Sequence, residues 1–229
     1  MKHIEVIIDQ QIKKWELDKK HPVEDETKPL KPGPIITISR QRGSGGSIIA
    51  QRLAELTGFA VINREIIDQI SQEIGTQKRL VETLDEADRS NFELWVDGIF
   101  RGRIVDSSDY NRSLIKIIGA ITHHGKTIIV GRGANFIVGN KNAFNVRIVA
   151  DYQFRIDSLV KRRKLNSEQA KEEIEANDQQ RKKFIKKHFD RDINDYSAYD
   201  LIINSANLEI DKIAGLILNA YPQKTYQGN

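Results

Sequence analysis

The residues Gly43-Ser44-Gly45-Gly46-Ser47, with Arg40 and Arg42 just before them, have the types and spacing to hold phosphate. Glycine lacks Cβ, so the backbone can curl and turn successive N–H groups toward one point. A helix starting there adds the positive end of its dipole. Set against the pattern G-x-x-x-x-G-K-[ST], Gly45 takes the second glycine and Ser47 takes the Mg²⁺-binding hydroxyl. Arg40 stands where the first glycine belongs, and Gly46 where the lysine belongs. The loop is therefore a degenerate phosphate loop. A strand-to-helix turn that needs only tight geometry would satisfy the same glycines. Arg40, Arg42 and Ser44 tilt the reading toward phosphate, because two flanking guanidinium groups could replace the missing ammonium.

The elements that must position this loop follow from periodicity. Ile35-Ile36-Thr37-Ile38 is a short β-branched run, and Ile49, Leu53 and Leu56 after the loop fall at helical spacing, with Gly58 placed to end the helix. Phe59-Ala60-Val61-Ile62-Asn63, Thr127-Ile128-Ile129-Val130, Asn145-Val146-Arg147-Ile148-Val149-Ala150 and Asp200-Leu201-Ile202-Ile203-Asn204 read as four further strands. Helices separate them: one from Arg64, helical segments between residues 72 and 120, one opened by Asp151 and running to Lys164, one N-capped by Ser167 and running to Phe189, and a closing helix through Leu208, Ile213 and Ile217. Short apolar strands alternating with helices imply an α/β protein in three layers, a five-stranded parallel sheet covered on both faces. Sites in such folds lie beyond the carboxyl ends of the strands, so Arg40–Ser47, Asn63-Arg64 and Gly131-Arg132-Gly133 should meet in one crevice. Convergent arginines at a glycine-rich loop point to two phosphate groups.

Residues 1–34 form a separate expectation. Ile4, Ile7, Ile8, Ile12 and Trp15 fall on one helical stripe that should dock on the body or dimerise, with Trp15 as a packing anchor. Residues 21–34 hold four of the five prolines and suit an extended linker. The body is then residues 35–229, with a helical insertion at about 72–120 and a lid at about 155–191. Cysteine is absent, which removes disulfides and thiolate chemistry, and the five histidines show no metal-ligand spacing. No apolar run reaches the length of a membrane span and the first residues lack signal-peptide organisation, so a cytoplasmic protein is expected. The net charge of +4 is small beside 36 basic and 32 acidic residues and fits small phosphorylated ligands, with no nucleic-acid role.

In Ile36-Thr37-Ile38-Ser39-Arg40 leading into Gly43-Ser44-Gly45-Gly46, in Asn63-Arg64-Glu65, in Ile129-Val130-Gly131-Arg132-Gly133-Ala134, and in Asp178 with Arg181, the chain resembles the cytidylate-kinase-like family of P-loop nucleoside monophosphate kinases. The resemblance covers roughly residues 35–217. It implies the P-loop kinase fold with a nucleotide-binding insertion and a mobile lid. It also implies ATP and Mg²⁺ as cofactors, with Gly43 to Ser47 on the donor triphosphate and the Ser47 hydroxyl on the metal. Arg132 matches an arginine on the acceptor monophosphate, Arg155 and Arg181 match arginines that neutralise the transferring phosphoryl group, and Asp178 matches an acceptor-side carboxylate. Asn63 and Arg64 lie in the acceptor segment, and Arg42 joins the charge-neutralising arginines. Gly133 stands where cytidylate kinases carry an aspartate, and Asn63 replaces the aspartate usual at its strand end.

Taken without the family, Asp178 and Arg181 are an ordinary i,i+3 surface pair, and Arg132 could serve only to bond strand-end carbonyls. Three functions remain in view. The first is a Mg-ATP-dependent kinase of CMP or dCMP. The second is a regulatory module that binds nucleotide but turns over weakly or not at all, motivated by Gly46, Gly133 and a helix that could recruit a partner or a second copy. The third is a kinase of another small acceptor.

Overall fold

The computed structural model describes residues 2–20, 35–84, 92, 94, 96–98, 108–140 and 142–221. The proline-rich linker expected at 21–34 lies outside the described residues, as do Trp95, Ile99, Phe100 and 101–107 of the insertion. In chain order the elements are α1 (Lys2–Lys20), β1 (Ile35–Arg40), α2 (Gly46–Thr57), β2 (Ala60–Ile62), α3 (Arg64–Gln72), α4 (Ile74–Glu82), α5 (Asp109–His124), β3 (Thr127–Val130), α6 (Ala134–Val138), β4 (Phe144–Val149), α7 (Tyr152–Arg163), α8 (Ser167–Phe189), β5 (Leu201–Asn204) and α9 (Ile210–Ala220), with a 3₁₀ turn at Tyr196–Ala198.

The strands form one five-stranded sheet in the order β2-β3-β1-β4-β5, every pair parallel. β1 is central: Ile38 sits opposite Val130 of β3 and Val146 of β4. Side chains alternate across a strand, and here both faces are covered: one set is apolar, while the other also buries Thr37, Asn145 and Arg147. Ile36, Ile38, Ile128, Val130, Val146 and Ile148 pack under Ile49 and Leu53 of α2 and Ile213 and Ile217 of α9. Ile35 and Ile129 belong to a second core with α3, α5, α6 and the end of α8. Leu80 of α4 and Leu114, Ile117 and Ile118 of α5 share that second core, so the described part of the insertion packs directly on the sheet. α7 and α8 form a hairpin with a small core of its own, Ile156 and Leu159 against Ala170 and Ile174.

The apolar stripe of α1 also closes on this chain. Ile8, Ile12 and Trp15 are buried in the second core, and Trp15 stacks on His124 with ring centroids 4.5 Å apart and planes 8° from parallel. Arg79 of α4 holds the polar edge of α1 through Asp9 at 2.7 Å.

Several ends match the sequence signals, and one is shifted. Gly58 ends α2 in the left-handed conformation, its N–H donating to the Ala54 carbonyl. Asp151 caps α7 by accepting from the Phe154 N–H. For α8 the cap is Asn166 and not Ser167: the Asn166 side chain accepts from the Gln169 N–H while Gln169 returns a bond to the Asn166 N–H. Ser167 is the first helical residue, because a capping box needs Glu or Gln three residues on, and only Asn166 has it.

Candidate active site

Beyond the carboxyl ends of β1, β2 and β3 lie two cavities. The larger, about 290 Å³, is lined by Asn63, Arg64, Arg132, Gln180, Phe184 and neighbours; the smaller, about 160 Å³, by Gly43, Gly45, Gly46, Arg162 and Arg163. Arg40, Arg42, Ser47 and Arg181 line both. The two spaces therefore share a wall of three arginines and one serine.

The glycine loop is shaped as its composition requires. Gly43 and Gly45 have φ of +85° and +79°, which L side chains rarely adopt, and Gly45 is the residue from which α2 starts. The first N–H groups of a helix have no partner within it, so the start of α2 offers donors to the smaller cavity. At Gly43 the loop presses on α7: a Cβ there would lie 2.7 Å from the Arg155 carbonyl oxygen. Ser44 turns the other way, its buried hydroxyl donating to the Gln41 carbonyl at 2.9 Å, and it lines neither cavity. Its role in the loop is to brace the backbone.

The arginines divide into two sets. Arg42 faces both cavities, with its Nε on Glu173 at 2.7 Å. Arg181 donates from Nη1 to the Arg40 carbonyl at 3.0 Å. Arg40 and Arg181 crowd like charges into a buried place. Burial and the charge of Arg181 push Arg40 down to about 9, and burial pushes Arg181 down to about 10 against the opposing pull of Asp178. An anion placed between them would relieve that cost. Arg155 belongs to the second set: it is buried, ion-paired with Asp178, and lines neither cavity. Asp178 in turn accepts the Arg42 backbone N–H at 2.9 Å and approaches Arg181 at 3.6 Å. It too stands outside both cavities, as a clamp that ties the loop to α7 and α8.

At the end of β3, Gly131, Arg132 and Gly133 are all left-handed, with φ of +89°, +53° and +67°. A non-glycine residue held there is strained, and such strain collects at functional positions. The turn aims Arg132 into the larger cavity, ion-paired with Asp68 and with its guanidinium carbon 5.0 Å from the Phe184 ring centre. Gly133 has no room for a side chain: a Cβ would stand 2.8 Å from Phe189 Cζ. The aspartate that the family resemblance implies there would have to displace that ring. Asn63 lines the cavity but also caps α3, accepting from the Ile66 N–H at 3.0 Å. Arg64 lines the same wall, held by Gln180 at 3.3 Å.

Sequence reasoning missed Asp68, Phe184 and Arg162. Arg162 was hidden in the run Lys161-Arg162-Arg163-Lys164, which reads as a solvated face. Its guanidinium stands 3.7 Å from where a Gly45 Cβ would be, and burial lowers its pKa. The usable signal was spacing: Arg162 follows Arg155 by seven residues, on the same face of α7. Asp68 follows Arg64 by four.

The profile of the cytidylate kinase-like family matches residues 35–207, from the first strand to just past the last. The chain belongs to the cytidylate kinase-like family. A cytidylate kinase of Saccharolobus islandicus is 27% identical over 185 residues, covering 80% of this chain and 88% of that protein. A cytidylate kinase of Thermoplasma volcanium is 26% identical over 191 residues, covering 80% and 89%. An uncharacterized protein from Eubacterium ventriosum, known from its crystal structure, superposes with a TM-score of 0.64 at 21% identity, over 83% of this chain and 99% of that one. The five-stranded parallel sheet with helices on both faces is the α/β P-loop kinase fold, and the superposition shows that the uncharacterized protein shares it. α1 lies outside the family match. Among the described residues no helix is long and apolar enough to cross a membrane.

Proposed function

We propose that this member of the cytidylate kinase-like family is a nucleoside monophosphate kinase that takes Mg-ATP as donor and CMP or dCMP as acceptor. One observation carries the reading: the two cavities lie side by side beyond the strand ends and have Arg40, Arg42, Ser47 and Arg181 in both their walls. Phosphoryl transfer needs a donor and an acceptor phosphate in line, with positive charge where they meet, and no covalent nucleophile from the protein. The smaller cavity takes the donor triphosphate, on the Gly43–Ser47 backbone with Arg162 above it. The larger takes the acceptor, its phosphate toward Arg132 and Arg64 and its base toward Phe184 and Asn63.

The acceptor phosphate is already an anion, so no general base is required. One of its oxygens bonds to the γ-phosphorus, the bond from that phosphorus to the bridging oxygen breaks, and ADP leaves with the electron pair. Arg42 and Arg181 stabilise the charge that spreads over the transferring oxygens, in a site where low dielectric strengthens the interaction. The donor set fits Mg²⁺ held chiefly by nucleotide: Ser47 offers a hydroxyl, and no cluster of three or more His, Cys, Asp or Glu ligands occurs among the described residues. Mg²⁺ would add charge neutralisation on the phosphate oxygens. Arg155 and Asp178 act behind the loop, keeping it against α7 and α8.

The test is to incubate the pure protein with Mg-ATP and each common ribo- and deoxyribonucleoside monophosphate and to resolve new diphosphates by chromatography. CDP or dCDP formed in preference to the others, and lost in Arg132→Ala, supports the reading. Mg-ATP binding without any diphosphate would instead favour a nucleotide-binding regulatory module.

A further inference from the structure

The loop departs from the common phosphate-loop pattern at two positions, and the structure joins them. Arg40 replaces the first glycine and Gly46 replaces the lysine. A Cβ built on Gly46 would lie 2.6 Å from the Arg40 Cβ and 3.0 Å from its Cγ. A lysine at 46 and an arginine at 40 therefore exclude one another. The Arg40 stem crosses Gly46 and carries its guanidinium toward Gly131, where a Cβ would meet the Arg40 Cζ at 3.3 Å. One glycine clears the near end of the side chain and another clears the far end.

Arg40 so placed lines both cavities, its stem beside Gly46 of the smaller one and its guanidinium beside Gly131 of the larger. Its Nε is buried and has no hydrogen-bond partner among the described residues. Buried polar atoms are paired as a rule, and an unpaired one at a cavity wall awaits an acceptor. Arg181 fixes the Arg40 backbone from below through the Arg40 carbonyl.

We infer that Arg40 does the work of the P-loop lysine, bridging the terminal donor phosphates and the transferring group from the end of β1, and that Gly46 is glycine because Arg40 lies across it. The inference rests on the donor assignment above. It makes positions 40 and 46 a reciprocal pair, glycine with lysine or arginine with glycine.

The experiment compares the full-length wild type, Arg40→Gln, Gly46→Lys, and the double variant Arg40→Gly with Gly46→Lys. Mg-ATP affinity is read by calorimetry and transfer by diphosphate formation. Arg40→Gln keeps the stem over Gly46 and removes the charge, and turnover should fall about 10²- to 10³-fold. Gly46→Lys alone should bind Mg-ATP poorly, because its side chain collides with Arg40. The double variant should recover to within about tenfold of wild type, as a lysine restored to its usual place. Wild-type affinity and turnover in Arg40→Gln would overturn the inference, as would a double variant no better than Arg40→Gln. If the wild type binds Mg-ATP but phosphorylates no monophosphate, the kinase reading fails while the four affinities still decide the role of Arg40. No Mg-ATP binding by the wild type would refute both.

Discussion

Removing the Asp178 carboxylate should unfasten the phosphate loop from the helices behind it. In Asp178→Ala the Arg42 N–H loses its acceptor at 2.9 Å, and Arg155, whose side chain is 9% exposed, loses its counter-charge. Leaving one partner of a buried pair alone costs about 3–5 kcal/mol. The Asp178 side chain is 28% exposed, so solvent reaches the pair and about 2–3 kcal/mol is the better expectation. At this chain length each kcal/mol moves Tm by about 2–4 °C, which gives a fall of about 4–12 °C. Urea unfolding should show a lower midpoint at unchanged m. Asp178→Asn keeps an oxygen for the Arg42 N–H and should lose only part of this. A loss in Asp178→Ala below about 0.5 kcal/mol, the range of an exposed pair, would refute the clamp. Unchanged stability with a raised KM for the acceptor alone would return Asp178 to the substrate side, as the family resemblance has it.

Gly133→Ala combines a left-handed backbone with a Cβ 2.8 Å from Phe189 Cζ and 3.1 Å from Ile185 Cδ1. It should cost about 2–5 kcal/mol in chemical denaturation, and a neutral substitution would mean the turn relaxes freely. Arg162→Ala should weaken Mg-ATP binding by calorimetry about tenfold, the worth of one charge-assisted contact, with stability nearly unchanged; equal affinity would remove Arg162 from the donor cavity. Trp15→Ala, at a residue 6% exposed and stacked on His124, should cost about 3–5 kcal/mol while Mg-ATP affinity holds. A cost under about 1 kcal/mol would mean α1 contributes little to the core.

The strands and the loop were legible for physical reasons. A parallel strand buried on both faces is mostly apolar and β-branched, so Ile35–Ile38 and Thr127–Val130 stand out, their threonines hydrogen-bonded inside. A loop that needs positive φ must use glycine, so Gly43 and Gly45 announce themselves. Polar residues at strand ends then assemble by topology, which brings Arg40, Arg64 and Arg132 to one crevice. The family resemblance, drawn from the same residues, is borne out by the family match over 35–207. Contacts between distant elements were not legible. The i,i+3 spacing of Asp178 and Arg181 shows a shared helix face but not that α8 crosses behind Arg42. The stripe on α1 shows an apolar face but not that His124 stacks on its Trp15. Arg155 and Arg162 are equivalent by period, and only the close packing of Gly43 on α7 decides which of them reaches the cavity.

Two neighbouring cavities with one cluster of arginines in both walls should hold donor and acceptor nucleotides at once. A bisubstrate compound, adenosine and cytidine joined through a five-phosphate chain, tests it by titration calorimetry against Mg-ATP and CMP. It should bind one molecule per chain at least about 10²-fold more tightly than Mg-ATP, because the second cavity is filled intramolecularly. Binding no tighter than Mg-ATP, or two molecules per chain, would mean that the cavities are not joined as donor and acceptor sites.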